Sequence, residues 1–88
     1  MAYWLGYLIS KKYFNYACMS KIYLKKLGKC IKFERKNKNL SQEKLAELIG
    51  KTRNYVGMIE RAEINIPVSV LFDIAKVLNV NIKVFFEF

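Results

Sequence analysis

The side chains with the most useful chemistry lie together at Thr52, Arg53 and Asn54. The guanidinium of an arginine presents a planar fork of hydrogen-bond donors, and the amide of an asparagine both donates and accepts. A threonine directly before a helix can accept a hydrogen bond from a free amide of the first turn. This cluster therefore offers directional hydrogen bonding rather than the making or breaking of covalent bonds.

The sequence lacks the residues that most catalytic and metal sites need. It has no histidine, which removes histidine acid–base catalysis and most zinc sites. It also has no glycine-rich phosphate loop and no paired carboxylates. Cys18 and Cys30 are not part of a CxxC motif, so we expect two reduced thiols and no bound metal or cofactor. We therefore expect a protein that is not an enzyme.

Apolar spacing and capping residues predict the helices that position the cluster. Four helices are expected, at about 20–38, 41–49, 52–60 and 67–78. Ser41 and Thr52 are the predicted N-caps of the second and third helices, and Gly50 suits the turn between them. Two short helices around a tight turn form a helix-turn-helix. Residues 82–88 alternate partly like a strand, but a short final helix fits this architecture better.

The expected inward residues follow helical periodicity. In the first helix, Gly28 interrupts the inward seam and is a weak point. The expected inward residues of the first three helices are Ile22, Leu27, Ile31, Arg35, Leu45, Leu48, Ile49, Val56 and Ile59. Those of the fourth are Val68, Leu71, Ala75 and Leu78, with Ile74 beside them.

The positive charge is concentrated near the N-terminus. The formal net charge of the 88 residues is +9. Residues 1–38 contain ten Lys/Arg and one acid, whereas residues 39–88 contain six of each. Such a balance suits a polyanionic partner, either nucleic acid or an anionic membrane surface. Because the first 38 residues are aromatic and basic, a protein that binds a membrane surface is one alternative function. A membrane is not the first choice of partner.

Two sequence stretches carry a resemblance to a known family. The run SQEKLAELIG at 41–50, followed by Thr52 and by Ile59-Glu60-Arg61, resembles the Cro/CI-type (XRE, lambda-repressor-like) regulators. The run LFDIAKVLNV at 71–80 is similar to a downstream stretch of the same family. The resemblance implies an all-α, compact, four- to five-helix lambda-repressor-like domain. It also implies a cytoplasmic, sequence-specific transcriptional regulator that binds a palindromic DNA operator as a homodimer. An antitoxin of the same fold, acting with a protein partner, is the second alternative.

The resemblance also assigns roles to individual residues. Arg53 and Asn54 are expected to read bases in the major groove, because arginine pairs with guanine and asparagine with adenine. Gln42 and Thr52 are expected to hold the phosphate backbone. Gly57 is expected on the open outer face of the third helix, with the other residues that meet the DNA. The expected DNA-binding set is Gln42, Thr52, Arg53, Asn54, Tyr55, Gly57 and Met58. Arg35 and Glu60 are expected to form a structural ion pair between the first and third helices.

The first eighteen residues and one turn depart from the family pattern. Ala62 stands where the family has glycine, and a left-handed turn there is strained for alanine. Residues 1–18 match nothing in the family and are expected to be an extension of uncertain structure, with the domain at 19–88 and Met19 as the working start. The rival interpretation is a helix from Tyr13 to Leu27. The C-terminal apolar residues exceed what one small core needs and predict the dimer contact: Val84, Phe85, Phe86 and Phe88.

Overall fold

Four α-helices and a terminal 3-10 helix make up the part of the chain that the structure describes. The computed structural model describes the backbone of residues 16–87 and the side chains of residues 21–87. The helices are α1 (Tyr16–Asn37), α2 (Gln42–Ile49), α3 (Arg53–Glu60) and α4 (Val68–Leu78), followed by a 3-10 helix (Ile82–Phe86). The predicted all-α fold with four to five helices is confirmed, and the terminal segment is helical rather than a strand.

Helix α1 begins earlier than the sequence pattern predicts. It starts at Tyr16 rather than near Ser20, so the expected boundary between residues 18 and 19 falls inside this helix. The expectations for residues 1–15, for the side chain of Cys18 and for Phe88 lie outside the described residues. Among residues 16–87, no helix is both long enough and apolar enough to cross a membrane.

The turn between α2 and α3 has the capping interactions that its sequence favours. The Ser41 hydroxyl accepts a hydrogen bond from the Lys44 amide at 3.0 Å, and the Thr52 hydroxyl accepts one from the Tyr55 amide at 3.1 Å. Gly50 ends α2 with φ of 71°, a left-handed conformation that glycine adopts without steric strain. These local interactions fix where α2 ends and where α3 begins.

The core is formed where the four helices and the 3-10 helix meet. Its largest fully buried side chains are Phe85, Ile31, Leu45, Ile74, Leu78 and Val56. Three residues that were expected to point inward are exposed: Ile22 at 41%, Leu48 at 48% and Val68 at 66%. Leu48 is turned about 100° away from the direction of Ile49 along α2, because each residue rotates the helix by about 100°. Ile22 lies before Leu27, the first buried apolar side chain of α1 among the described residues, and so before the part of α1 that packs on the core.

Helix α1 crosses α3 at Gly28, and the crossing is unusually close. A Cβ atom on Gly28 would lie 2.7 Å from the backbone oxygen of Ile59 and 2.8 Å from that of Glu60. Gly28, which periodicity marks as a weak point of α1, is therefore the residue that lets the two backbones approach each other. The turn after α3 keeps the left-handed conformation of the family pattern, with Ala62 at φ of 60° and its side chain in the core.

Candidate nucleic-acid interface

Arg35 and Glu60 hold α1 against the C-terminal end of α3. Arg35 Nε donates to Glu60 Oε2 at 2.7 Å, and Arg35 Nη2 donates to Glu60 Oε1 at 3.1 Å. The two side chains are only 7% and 2% exposed. Arg35 Nη1 also donates to the backbone oxygen of Leu40 at 2.7 Å, which ties the loop before α2 to the same group. A two-bond arginine–carboxylate contact fixes orientation as well as distance.

Gln42 joins this group from the first turn of α2. Its Nε2 atom donates to Glu60 Oε1 at 2.9 Å. An amide nitrogen has two hydrogens, so one of them remains to meet another acceptor. The expected phosphate ligand is thus also a structural link between the start of α2 and the end of α3.

The N-terminal end of α3 presents the polar cluster to solvent. Thr52, Arg53 and Asn54 are all exposed, and the Thr52 hydroxyl is used as the cap. The opposite side of α3 is buried through Val56 and Ile59, at 0% and 4% exposure. The structure therefore brings the three polar residues together on one accessible end of a helix whose other side is fixed.

Tyr55 and Met58 lie at the edge of this surface rather than fully on it. Both are half-buried, and Tyr55 packs against the core cluster. The Lys51 ammonium lies 5.4 Å from the centre of the Tyr55 ring, within the range of a cation–π contact. Tyr55 is thereby fixed between the core and a lysine of the turn.

The placement of Gly57 on the open outer face of α3 is corrected by the structure. Gly57 is buried, and a Cβ atom there would lie 2.9 Å from Nη1 of Arg61. The Arg61 side chain is directed over Gly57 and is held by Glu63, with Nε donating to Glu63 Oε2 at 3.0 Å. That hydrogen bond is the main reason why the pKa of Glu63 is lowered and that of Arg61 is raised.

Arg61 is the residue of this surface that sequence reasoning missed. Its side chain is 55% exposed and lies beside the outer face of α3. A glycine four residues before an arginine at the end of a helix leaves space for such an arrangement, because residues i and i+4 are neighbours on a helix surface. The spacing of Gly57 and Arg61 was therefore the feature of the sequence that could have identified Arg61.

The fold and this surface define a helix-turn-helix DNA-binding protein. Residues 31–85 match the helix-turn-helix family HTH_3, and the chain belongs to this family of DNA-binding transcriptional regulators. It is 43% identical over 56 residues to the control protein C.SmaI of Serratia marcescens, an alignment that covers 64% of this chain and 67% of that protein.

Solved structures show the same architecture. The restriction-modification controller protein C.AhdI of Aeromonas hydrophila has a TM-score of 0.71 and 34% identity, over 74% of this chain and 94% of that one. An HTH_3 family transcriptional regulator of Vibrio cholerae has a TM-score of 0.69 and 29% identity, over 75% of this chain and 37% of that one. The predicted family and fold are therefore confirmed.

Proposed function

We propose that this protein is a sequence-specific transcriptional regulator that places α3 in the major groove of a palindromic operator and binds as a homodimer. The observation that carries the proposal is the exposure of Arg53 and Asn54 at the N-terminal end of α3. The Arg35–Glu60 pair holds the other end of the same helix. A rigidly held helix with a polar N-terminal end suits the reading of base edges in the major groove.

Within this proposal, Arg53 and Asn54 contact bases, and Gln42 and Thr52 contact phosphates. Tyr55 and Met58 border the bases, while Gly57 allows the Arg61 side chain to lie close to α3. Two of the similar proteins are named as control proteins, and one of them is called a restriction-modification controller. We therefore propose that the regulated genes belong to a restriction-modification system. The antitoxin alternative uses the same face of α3, and nothing in residues 16–87 favours a foreign partner over a second copy.

The homodimer is proposed to form through the C-terminal segment. Phe85 is fully buried and Val84 is half-buried, but Phe86 remains 55% exposed. Clusters of exposed apolar side chains commonly mark protein interfaces, and Phe86 belongs to the apolar run Val84-Phe85-Phe86. Phe86→Ser should weaken the dimer in sedimentation equilibrium, while Leu48→Ser on α2, where the side chain is 48% exposed, should not. A wild-type protein that stays monomeric at high concentration would rule out this part of the proposal.

Selection of bound sequences from random duplex DNA, at a stated salt concentration, tests the function directly. A palindromic consensus with half-sites about 10 base pairs apart is the expected result for a symmetric helix-turn-helix dimer. Enrichment of no sequence would refute the proposal. A consensus without a two-fold axis would agree with sequence-specific DNA binding but would refute the symmetric dimer.

A further inference from the structure

Helix α1 carries a line of lysines that no contact within the described residues explains. Lys21, Lys25, Lys29, Lys32 and Lys36 are all exposed. With about 100° of rotation per residue, these five positions fall within a sector of about 80° and extend about 22 Å along the helix. We call these five residues the lysine stripe. Among the side chains of residues 21–87, none of the five forms an ion pair.

One edge of the stripe adjoins the side of α1 that contacts α3. Gly28, which touches the backbone of Ile59 and Glu60, is about 20° from Lys21 and about 40° from Lys32 around the helix axis. Lys29, about 100° from Gly28, is the member of the stripe farthest from α3, and it lines the small cavity of about 340 Å³ beside the 3-10 helix together with Glu34. The position of the stripe is therefore fixed relative to the candidate DNA-reading helix.

A second observation places the N-terminal end of the stripe near the turn after α3. The pKa of Glu63 is lowered first by its hydrogen bond from Arg61, and the positive charge of Lys21 lowers it further. Glu63 is already paired with Arg61, so it neutralises little of the stripe. The lysine stripe, with four to five positive charges that remain unneutralised, thus begins near the turn after α3 and runs along α1.

The dimensions of α3 bring this line to the border of the groove. The major groove is about 12 Å wide and admits the diameter of an α-helix, and the eight residues of α3 place its C-terminal end about 12 Å from its base-reading end. If the N-terminal end of α3 meets base edges, its C-terminal end and the adjoining side of α1 lie near the phosphates that border the groove. Lysines there would neutralise phosphates without reading sequence.

We propose that the lysine stripe of α1 is a second DNA-binding surface, which contacts the phosphate backbone outside the segment that α3 reads. This inference rests on the proposed DNA-binding function. It assigns α1 the role of extending the contact with the duplex beyond the helix-turn-helix. Such a role also accounts for the excess of basic residues in α1, which α2 and α3 do not share.

The test compares Lys25→Gln/Lys32→Gln with a control of equal charge change, Lys76→Gln/Lys83→Gln, on α4 and the 3-10 helix. Both are measured by titration with two duplexes that contain the selected operator. One duplex ends at the half-sites, and the other adds about one helical turn, about 10 base pairs, on each side. Thermal unfolding checks that all variants are folded.

On the long duplex, the stripe variant should reduce the slope of log affinity against log salt by about 4, because the dimer loses two lysines from each protomer and each phosphate contact contributes about 0.9. The control should retain the wild-type slope, and the stripe variant should lose the advantage of the long duplex. Equal slopes for the stripe variant, control and wild type would overturn the inference and leave operator binding intact. A wild-type protein that binds no duplex would overturn both proposals.

A membrane surface is the other polyanion that a lysine stripe would suit. Vesicles containing phosphatidylserine are therefore included as a third probe. Binding of wild type but not of the stripe variant to these vesicles, together with unchanged DNA binding, would overturn the inference in favour of a lipid surface. We expect the opposite pattern, in which the substitution changes DNA binding and leaves vesicle binding unaltered.

Discussion

Replacing Gly28 by alanine tests how α1 is packed against α3. An alanine normally stabilises a helix by about 1 kcal/mol relative to glycine. At Gly28, however, the added Cβ would lie 2.7 and 2.8 Å from two backbone oxygens of α3. Ordinary contacts between carbon and oxygen are about 3.3–3.6 Å, so the helices must move apart by about half an ångström or more.

Overpacking of this kind typically destabilises a protein by about 1–3 kcal/mol. Because the obstacles are backbone atoms within a helix, the upper end of that range applies. After the gain in helix propensity is subtracted, Gly28→Ala should lower the free energy of unfolding by about 2 kcal/mol. For a domain of this size the Tm should fall by about 8–16 °C.

Gly57→Ala is the matched control, because the same chemical change there meets a different obstacle. Its Cβ would lie 2.9 Å from the end of the Arg61 side chain, which can rotate away. Gly57→Ala should therefore keep most of the gain of about 1 kcal/mol and raise the Tm by about 4–8 °C. Thermal unfolding followed by circular dichroism measures both variants. An unchanged or raised Tm for Gly28→Ala would refute the argument from close approach.

Three further predictions concern the buried ion pair, the reading helix α3 and Gln42 at the start of α2. Arg35→Gln and Glu60→Gln should each lower the free energy of unfolding by about 3–5 kcal/mol, because each leaves a buried charge unpaired. A double-mutant cycle measured in denaturant should show strong coupling between the two substitutions, and additive effects would contradict this. Arg53→Ala should weaken operator binding by about 1–3 kcal/mol and relax the preference at one position per half-site. Gln42→Ala should weaken binding to all DNA sequences alike. It should also lower the free energy of unfolding by about 2 kcal/mol, because the hydrogen bond to Glu60 is lost. A loss of affinity confined to one base position would argue against a phosphate contact by Gln42.

The helix-turn-helix and its caps could be predicted from sequence because they depend on local interactions. Ser41 and Thr52 cap helices through bonds to amides three residues away, and Gly50 adopts its turn from its own backbone freedom. Family resemblance placed Arg35 and Glu60 together, and their atoms lie 2.7 Å apart. The exposed position of Arg53 and Asn54 likewise follows from the buried periodicity of α3.

Other features depended on how the helices pack, and sequence patterns alone could not supply them. Periodicity marked Gly28 as a defect in α1, because only the crossing with α3 shows what a Cβ atom would meet. It placed Gly57 on an open face, because the direction of the Arg61 side chain is set by its contact with Glu63. Leu48 was assigned inward because a short apolar run fits more than one helix face, and tertiary packing selects one of them. Capping and helical spacing thus determine the elements, whereas close approach and side-chain direction arise only once the elements are in contact.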